Sequence, residues 1–340
     1  MQKIRVGIVG ISGYGGGEAL RYIAGHPNFV LAYAAGESTA GTRVGERYPG
    51  VPDEIGNVVV EKFDPTAINN VEVLFTSLPT GASKEPLALI GRNTKIVDIG
   101  GDHRYVDGWT YGLADVWPEL MKDKIRVANP GCYPAATLTP LAPLLREKLI
   151  SPNNIIVDAK SGVSGAGRGG SSGGFGYAET NEDFTAYGLL KHTHMPEIEK
   201  TIDLLSGPGA ITETTKTTVG GGRPKGFVFT PHLLPQSRGI LATIYARGTA
   251  TTEQCLSAAR AFYKDRAFVR VTEKPPHTKW ATGSNLAFVS YACDPERELV
   301  MALCAIDNLG KGAAGQAIQN ANLICGLPED TGLKVAPLWP

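Results

Sequence analysis

Cysteine is sparse in this chain. Its five residues (Cys132, Cys255, Cys293, Cys304 and Cys325) are odd in number, widely spaced and without a CxxC pair, which excludes a disulfide framework and the familiar zinc-site spacings. Neither sign of charge is in excess. Lys plus Arg and Asp plus Glu each number 33, so no global field draws the chain toward nucleic acid or a membrane surface, although a local basic pocket for a small anion is still open to it. No apolar stretch approaches the length of a membrane span, and there are no internal repeats. A strand-like run begins by residue 4 and leaves no room for a signal peptide. The expectation is a soluble cytoplasmic protein that acts on small molecules.

Glycine, in contrast, is abundant at 42 residues, many of them in motif-like turns, a pattern that brings backbone close to a ligand. A chain of 340 residues has room for about two domains, each with its own core. Residues 4–10 are apolar and β-branched, and Glu18, Ala19, Leu20, Tyr22 and Ile23 then carry a helical pattern. Residues 29–35, 71–77 and 95–99 read as further short buried strands, with a helix over 84–92. The alternation predicts a Rossmann-type, doubly wound parallel α/β sheet.

A helix is predicted from Cys132 to about Lys148, and then the character changes. Residues 155–159, 227–234, 239–247, 286–292 and 299–306 are strand-like, and 252–265 is the strong helix candidate among them. This predicts a second, α+β domain with a mixed or antiparallel sheet. The Gly/Thr-rich stretch 206–226 reads as a loop or loose hairpin. Residues 313–325 are helical and apolar on one face, and are expected to return to the first domain. The expected division is 1–149 with 308–340 as a dinucleotide-binding domain, and 150–307 as a catalytic, substrate-binding and oligomerisation domain.

Glycines at 10, 13 and 16 follow a strand and open a helix. There they let backbone approach a pyrophosphate that caps the helix. A tight turn with no ligand is the competing reading, and the flanking strand and helix favour the nucleotide. The second strand ends in Gly36-Glu37-Ser38, where the adenosine ribose is normally met. Glu37 there suits a free 2′-hydroxyl and NAD, whereas Ser38, with Arg43 and Arg47 nearby, suits the 2′-phosphate of NADP. NADP is the expectation, with NAD left open by Glu37.

Cys132 stands in Asn129-Pro130-Gly131-Cys132-Tyr133-Pro134, directly after the apolar run 125–128. That places a thiol at the end of a strand, on the first turn of a helix, where unpaired amides favour thiolate. Most cysteines are buried structural residues, and the other four read that way. A nucleophilic sulfur needs a proton-handling partner, and Lys191-His192-Thr193-His194-Met195-Pro196-Glu197 concentrates such groups. In an extended stretch His192 and His194 would face one side; the pair could also ligate a metal, but no third ligand stands at familiar spacing. Ser161 to Arg168 offers hydroxyls and exposed amides suited to a phosphate, a nicotinamide amide or an oxyanion, or is merely a flexible loop. Arg104 and Arg238 are each able to clamp an anion bidentately.

Taken together these motifs resemble the N-acetyl-γ-glutamyl-phosphate reductase family, within the semialdehyde dehydrogenase superfamily. The likeness runs nearly end to end: GISGYGG at 10–16, Asp102-His103-Arg104, NPGCYP at 129–134, SGVSGAGR at 161–168, HTHMPEI at 192–198, Pro231-His232-Leu233, Ser237-Arg238-Gly239-Ile240, and 305–309 leading to Lys311-Gly312-Ala313-Ala314-Gly315. The resemblance implies an NADPH-dependent reduction of an acyl phosphate in arginine biosynthesis. Cys132 would be the nucleophile and His192 the base, oriented by Glu197. Ser12, Gly13, Tyr14 and Gly16 would cradle the pyrophosphate, with Ser161, Gly162 and Asn308 near the nicotinamide. Arg104, His194 and Arg238 would meet the substrate. A homo-oligomer, dimer or tetramer, is the implied assembly.

The chain departs from the family at His103, where Phe is frequent, and at Glu37, where Ser, Thr or Arg is commoner. Three rivals remain. One is a reductase of aminoadipyl phosphate on a carrier protein; against it stand the Pro-Gly-Cys-Tyr-Pro setting and the balanced charge. Another is aspartate-semialdehyde dehydrogenase, which usually has Asn where Gly131 stands. The third is a non-catalytic nucleotide sensor, which would be expected to lose Cys132 or the His/Glu pair.

Overall fold

The structure, a computed structural model, describes residues 3–66, 68, 70–168, 177–207 and 224–339. Most of the stretch 206–226, expected as a loop or hairpin, lies outside the described residues. Two compact units emerge, residues 1–131 with 313–335 and residues 132–312 with 336–340.

The first unit is built on short apolar strands: β1 (Ile4–Val9), β2 (Phe29–Ala35), β3 (Val60–Glu61), β4 (Val73–Thr76), β5 (Lys95–Asp98), β6 (Thr110–Tyr111) and β7 (Arg126–Ala128). Among the described residues they form one sheet in the order β3-β2-β1-β4-β5-β7-β6, with every pairing parallel. All four residues of β4 are buried, as expected of a strand covered on both faces. The order reverses beside β1, which lies between β2 and β4. In open α/β sheets the carboxyl ends of strands at such a reversal form the ligand crevice.

The predicted C-terminal helix, Gly315–Ile324, does group with this unit. Its buried surface is not simply apolar, since Gln316, Gln319, Asn320 and Asn322 are all buried. These amides find partners, as buried polar groups must. Gln316 Nε2 and Asn320 Nδ2 both donate to the Gly112 carbonyl, at 2.9 and 2.8 Å, and Asn320 also donates to Asn129 Oδ1 at 3.0 Å.

The second unit holds β8 (Ile156–Gly162), β9 (Thr185–Ala186), β10 (Val228–Leu234), β11 (Ile240–Arg247), β12 (Val269–Val271), β13 (Ala287–Asp294) and β14 (Leu299–Ile306). Their order is β12-β13-β14-β11-β8-β10-β9. β8–β10 and β12–β13 pair parallel and the rest antiparallel, so the sheet is mixed. Along β11 buried and half-buried residues alternate, the signature of a sheet with one covered face.

The covering element is the helix Cys132–Arg146, packed on β11, β13 and β14 beside the helices Met195–Ser206 and Thr252–Phe262. The division of the chain therefore falls at 131/132 and 312/313 rather than at 149/150 and 307/308. The helix that was expected to close the first domain belongs to the second unit, and its two internal prolines show how it is held. Pro143 has no N–H to give the Thr139 carbonyl, and the Tyr263 hydroxyl donates to that carbonyl instead, at 2.6 Å. The Tyr291 hydroxyl donates to the Pro140 carbonyl at 2.9 Å. Among the described residues no helix is long and apolar enough to cross a membrane.

Candidate active site

In the first unit β1 runs into the glycine turn. Gly10 has φ +83°, a left-handed conformation that favours glycine, and a Cβ there would lie 2.3 Å from the Ser77 carbonyl oxygen. Gly16 is constrained by proximity: its Cβ would meet Gly10 O at 2.2 Å and Ile11 Cα at 2.8 Å, both backbone atoms. Gly13 is the N-cap of the helix Tyr14–Ala24 and offers no side-chain cap, and the first turn carries no acidic residue. The amides at this helix start face no built-in anion, the condition for receiving one from a ligand.

Ser38 and Glu37 lie exposed on the single turn Glu37–Thr39 that follows β2. Of the two expected arginines, Arg47 donates to the Ser12 carbonyl at 3.4 Å, whereas Arg43 is engaged with Asn57 Oδ1 at 2.9 Å. A tight turn that Gly10 and Gly16 alone allow, at a helix start without a side-chain cap and at a strand-order reversal, fits the pyrophosphate of a dinucleotide. Replacing Gly16 by Ala is expected to destabilise the protein by about 1–3 kcal/mol through overpacking against backbone. It should also weaken NADPH binding, as read by urea unfolding and by fluorescence titration.

Arg104 also belongs to the first unit. Its Nε donates to the Asn129 carbonyl at 3.0 Å and its Nη2 to Ile99 O at 3.4 Å. The preceding His103 is buried and stacks on Trp109 with centroids 3.8 Å apart, and its Nδ1 meets Asp98 Oδ2 at 2.7 Å. Asp102 accepts from the Gly81 and Ser83 amides and the Ser83 hydroxyl, bonds that pull its carboxyl below the usual range against the opposing effect of burial.

In the second unit Cys132 opens its helix, half-buried. A Cβ on Gly312 would stand 2.7 Å from Cys132 Cβ, so only glycine lets the segment before the C-terminal helix pass so close to the thiol. Cys132, Tyr133, Ser161, Tyr187, His192 and His194 line one cavity of about 250 Å³. The two histidines do not lie in an extended stretch. They sit in a turn closed by the His194 amide, which donates to His192 Nδ1 at 3.1 Å, and their rings are 4.9 Å apart. His192 packs edge-on to Tyr133, Tyr187 and Phe229, and burial lowers its pKa to about 4. It is therefore neutral at pH 7. With Nδ1 accepting, its hydrogen resides on Nε2.

Glu197 is buried in the first turn of the following helix and is not among the cavity-lining residues. Tyr133 and Tyr187 are lining residues that the sequence reading did not single out. Their hydroxyls are 3.3 Å apart, and Tyr133 also donates to the His232 carbonyl at 2.9 Å. Burial raises both phenols, Tyr187 to about 12, and they are neutral donors at pH 7. Tyr133 had a visible signal in its place beside the cysteine. Tyr187, 55 positions along the chain from Cys132, had none.

The remaining expected residues form a support beside β8. Ser161 is buried, and the Gly162 amide donates to Gly239 O at 2.8 Å. Asn308 accepts from the Gly239 amide at 2.8 Å and donates to Ser164 Oγ at 2.9 Å. Arg238 pairs with Asp307 Oδ2 at 3.2 Å, and Asp307 accepts as well from the amides of Gly283, Leu309 and Gly310. Asp307 escaped the sequence reading because its role appears only once Arg238 is brought beside it. The structure thus gathers Cys132, Ser161, His192 and His194 around one cavity, and places Gly10, Ser12, Gly13, Tyr14, Gly16, Ser38 and Arg104 in the other unit. Among the described residues no group of three or more His, Cys, Asp or Glu is arranged to hold a metal ion.

Comparison with known proteins matches both units. Residues 5–124 match the semialdehyde dehydrogenase NAD binding domain family, and residues 132–308 match the semialdehyde dehydrogenase dimerisation domain family. N-acetyl-gamma-glutamyl-phosphate reductases from Bradyrhizobium sp. (strain ORS 278) and Methylobacterium sp. (strain 4-46) are 67% and 64% identical, each over 99% of this chain and 100% of the relative. That of Desulforamulus reducens is 39% identical over the same shares. Among solved structures, aspartate semialdehyde dehydrogenase with NADP from Candida albicans is similar, with TM-score 0.71 and 17% identity over 95% of this chain and 98% of that one.

Proposed function

Because the chain belongs to the N-acetyl-gamma-glutamyl-phosphate reductases of the semialdehyde dehydrogenase fold, we propose that it converts N-acetyl-γ-glutamyl phosphate to N-acetylglutamate semialdehyde with NADPH, in arginine biosynthesis. The observation that carries this reading is the half-buried Cys132 at a helix start, facing a cavity lined by His192 and His194.

Cys132 Sγ attacks the acyl carbon. The carbon–oxygen bond to phosphate breaks, and the acyl group is held as a thioester. The position of Cys132 at a helix start, the positive end of the helix dipole, favours the thiolate that attacks. His192 meets the acyl oxygen with Nε2–H and stabilises the negative charge that develops there. Sheltering the acyl group on sulfur keeps it from the water that would hydrolyse the free acyl phosphate. When bound, NADPH supplies the hydride that takes the acyl group to the aldehyde level. The residues that would hold it are Gly10, Ser12, Gly13, Tyr14 and Gly16 for the pyrophosphate and Ser38 with Arg47 for the 2′-phosphate, and the family resemblance assigns Ser161, Gly162 and Asn308 to the nicotinamide. Arg238, paired with Asp307, and His194 would hold the substrate's anionic groups; the family resemblance assigns Arg104 to substrate as well, and Glu197 to orienting His192.

A homo-oligomer is part of the same reading. The face of the second sheet opposite the Cys132 helix carries half-buried Leu241, Tyr245, Met301 and Leu303, an apolar surface suited to a second copy. The test is the reverse reaction. N-acetylglutamate semialdehyde should support phosphate-dependent reduction of NADP, followed by nucleotide absorbance, with NAD run alongside. Reduction that ignores phosphate, or that favours aspartate semialdehyde, would sink the assignment.

A further inference from the structure

Away from the cavity, Cys255 and Cys293 stand with their sulfurs 3.6 Å apart although 38 positions separate them in sequence. Cys255 is buried in the helix Thr252–Phe262, and Cys293 is partly exposed on β13. The Cys293 amide donates to Thr252 Oγ1 at 3.0 Å, which pins the strand to the helix next to the two sulfurs. The same helix–strand pair grips the Cys132 helix, since Tyr263 caps the helix, Tyr291 lies on the strand, and their hydroxyls hold the Thr139 and Pro140 carbonyls.

We propose that Cys255 and Cys293 form a reversible redox pair that closes to a disulfide when a hydroperoxide reaches Cys293. The sulfur of the partly exposed Cys293 takes one oxygen from the peroxide, whose O–O bond breaks, and becomes a sulfenic acid. With hydrogen peroxide the other oxygen leaves as water. Cys255 Sγ then attacks the sulfenic sulfur, the S–O bond breaks, and a second water departs as the S–S bond forms. The two thiols together lose two hydrogens and two electrons, which the peroxide accepts. Closure needs the sulfurs to move from 3.6 Å to about 2.05 Å, a shift within reach of side-chain rotation. Burial, and next the neighbouring Cys293, raise Cys255 to about 12. Cys255 is therefore a neutral thiol at rest and gives up its proton as it attacks the sulfenic sulfur.

The test uses the full-length Cys132→Ala protein, so that the nucleophilic thiol does not respond. It is treated with hydrogen peroxide, unfolded, alkylated without reduction and digested. The Cys255 and Cys293 peptides should be recovered joined, lighter by two hydrogens, and should separate with dithiothreitol. The oxidised protein should melt a few degrees higher, because the staple restricts the unfolded chain. Neither effect should appear in the additional Cys293→Ser variant. Recovery of both cysteines alkylated, of Cys293 as a sulfinic acid with Cys255 still alkylated, or of either residue joined to Cys304 would overturn the proposal.

Discussion

Cys132→Ala is expected to abolish aldehyde formation, a loss on the order of 10⁴-fold or more in kcat, while NADPH binding stays nearly intact. In the proposed route the Cys132 sulfur carries the acyl group, and no other cysteine lines the cavity to take its place. The glycine cradle belongs to the other unit, so its folding and its affinity for nucleotide should not register the change. Reductase assays and a fluorescence titration on the same preparation separate the two. Substantial reductase activity in the variant would end the thioester route.

His192→Ala should lower kcat by roughly 10²–10³ with little change in nucleotide affinity. His192→Gln should recover part of the loss, because the Gln amide nitrogen falls near the place of Nε2 and can donate as that nitrogen does. A near-wild-type rate in the Ala variant would move the role to His194. The ring's titration is a second readout. Burial holds its folded pKa at about 4, below the ordinary 6.5. Between those values the unfolded chain binds the proton and the folded one does not. The ring's contribution to stability is therefore complete above pH 6.5 and is lost as pH falls toward 4. An NMR titration of the imidazole with its midpoint near 6.5 would contradict this.

Much of the site was readable because local backbone needs specific residues. Gly10 and Gly16 are readable because a Cβ at either would strike backbone, and Cys132 because Pro130-Gly131 marks the end of β7 and the start of a helix. Strands β2 and β14 were placed to the residue, since their apolar runs stop at turns. The first boundary falls at 131/132 rather than at 149/150, because it depends on which surface the Cys132 helix covers. Periodicity shows that a helix has an apolar face but not which sheet receives it. Cys293 and Cys325 were read as core and are partly exposed, because an apolar neighbourhood in sequence does not measure burial.

The sequence alone determined the two sheets' character, the glycine turn after β1 and the cysteine at a helix start, because each depends on period or chain geometry. Only the tertiary structure decided what surrounds the thiol. Tyr187 and His192 line one cavity with Cys132, Asp307 meets Arg238, and the turn at 192–194 leaves the His192 hydrogen on Nε2. Those pairings join residues far apart in the chain or rest on one backbone hydrogen bond, and they exist only once the mixed sheet has closed around the Cys132 helix.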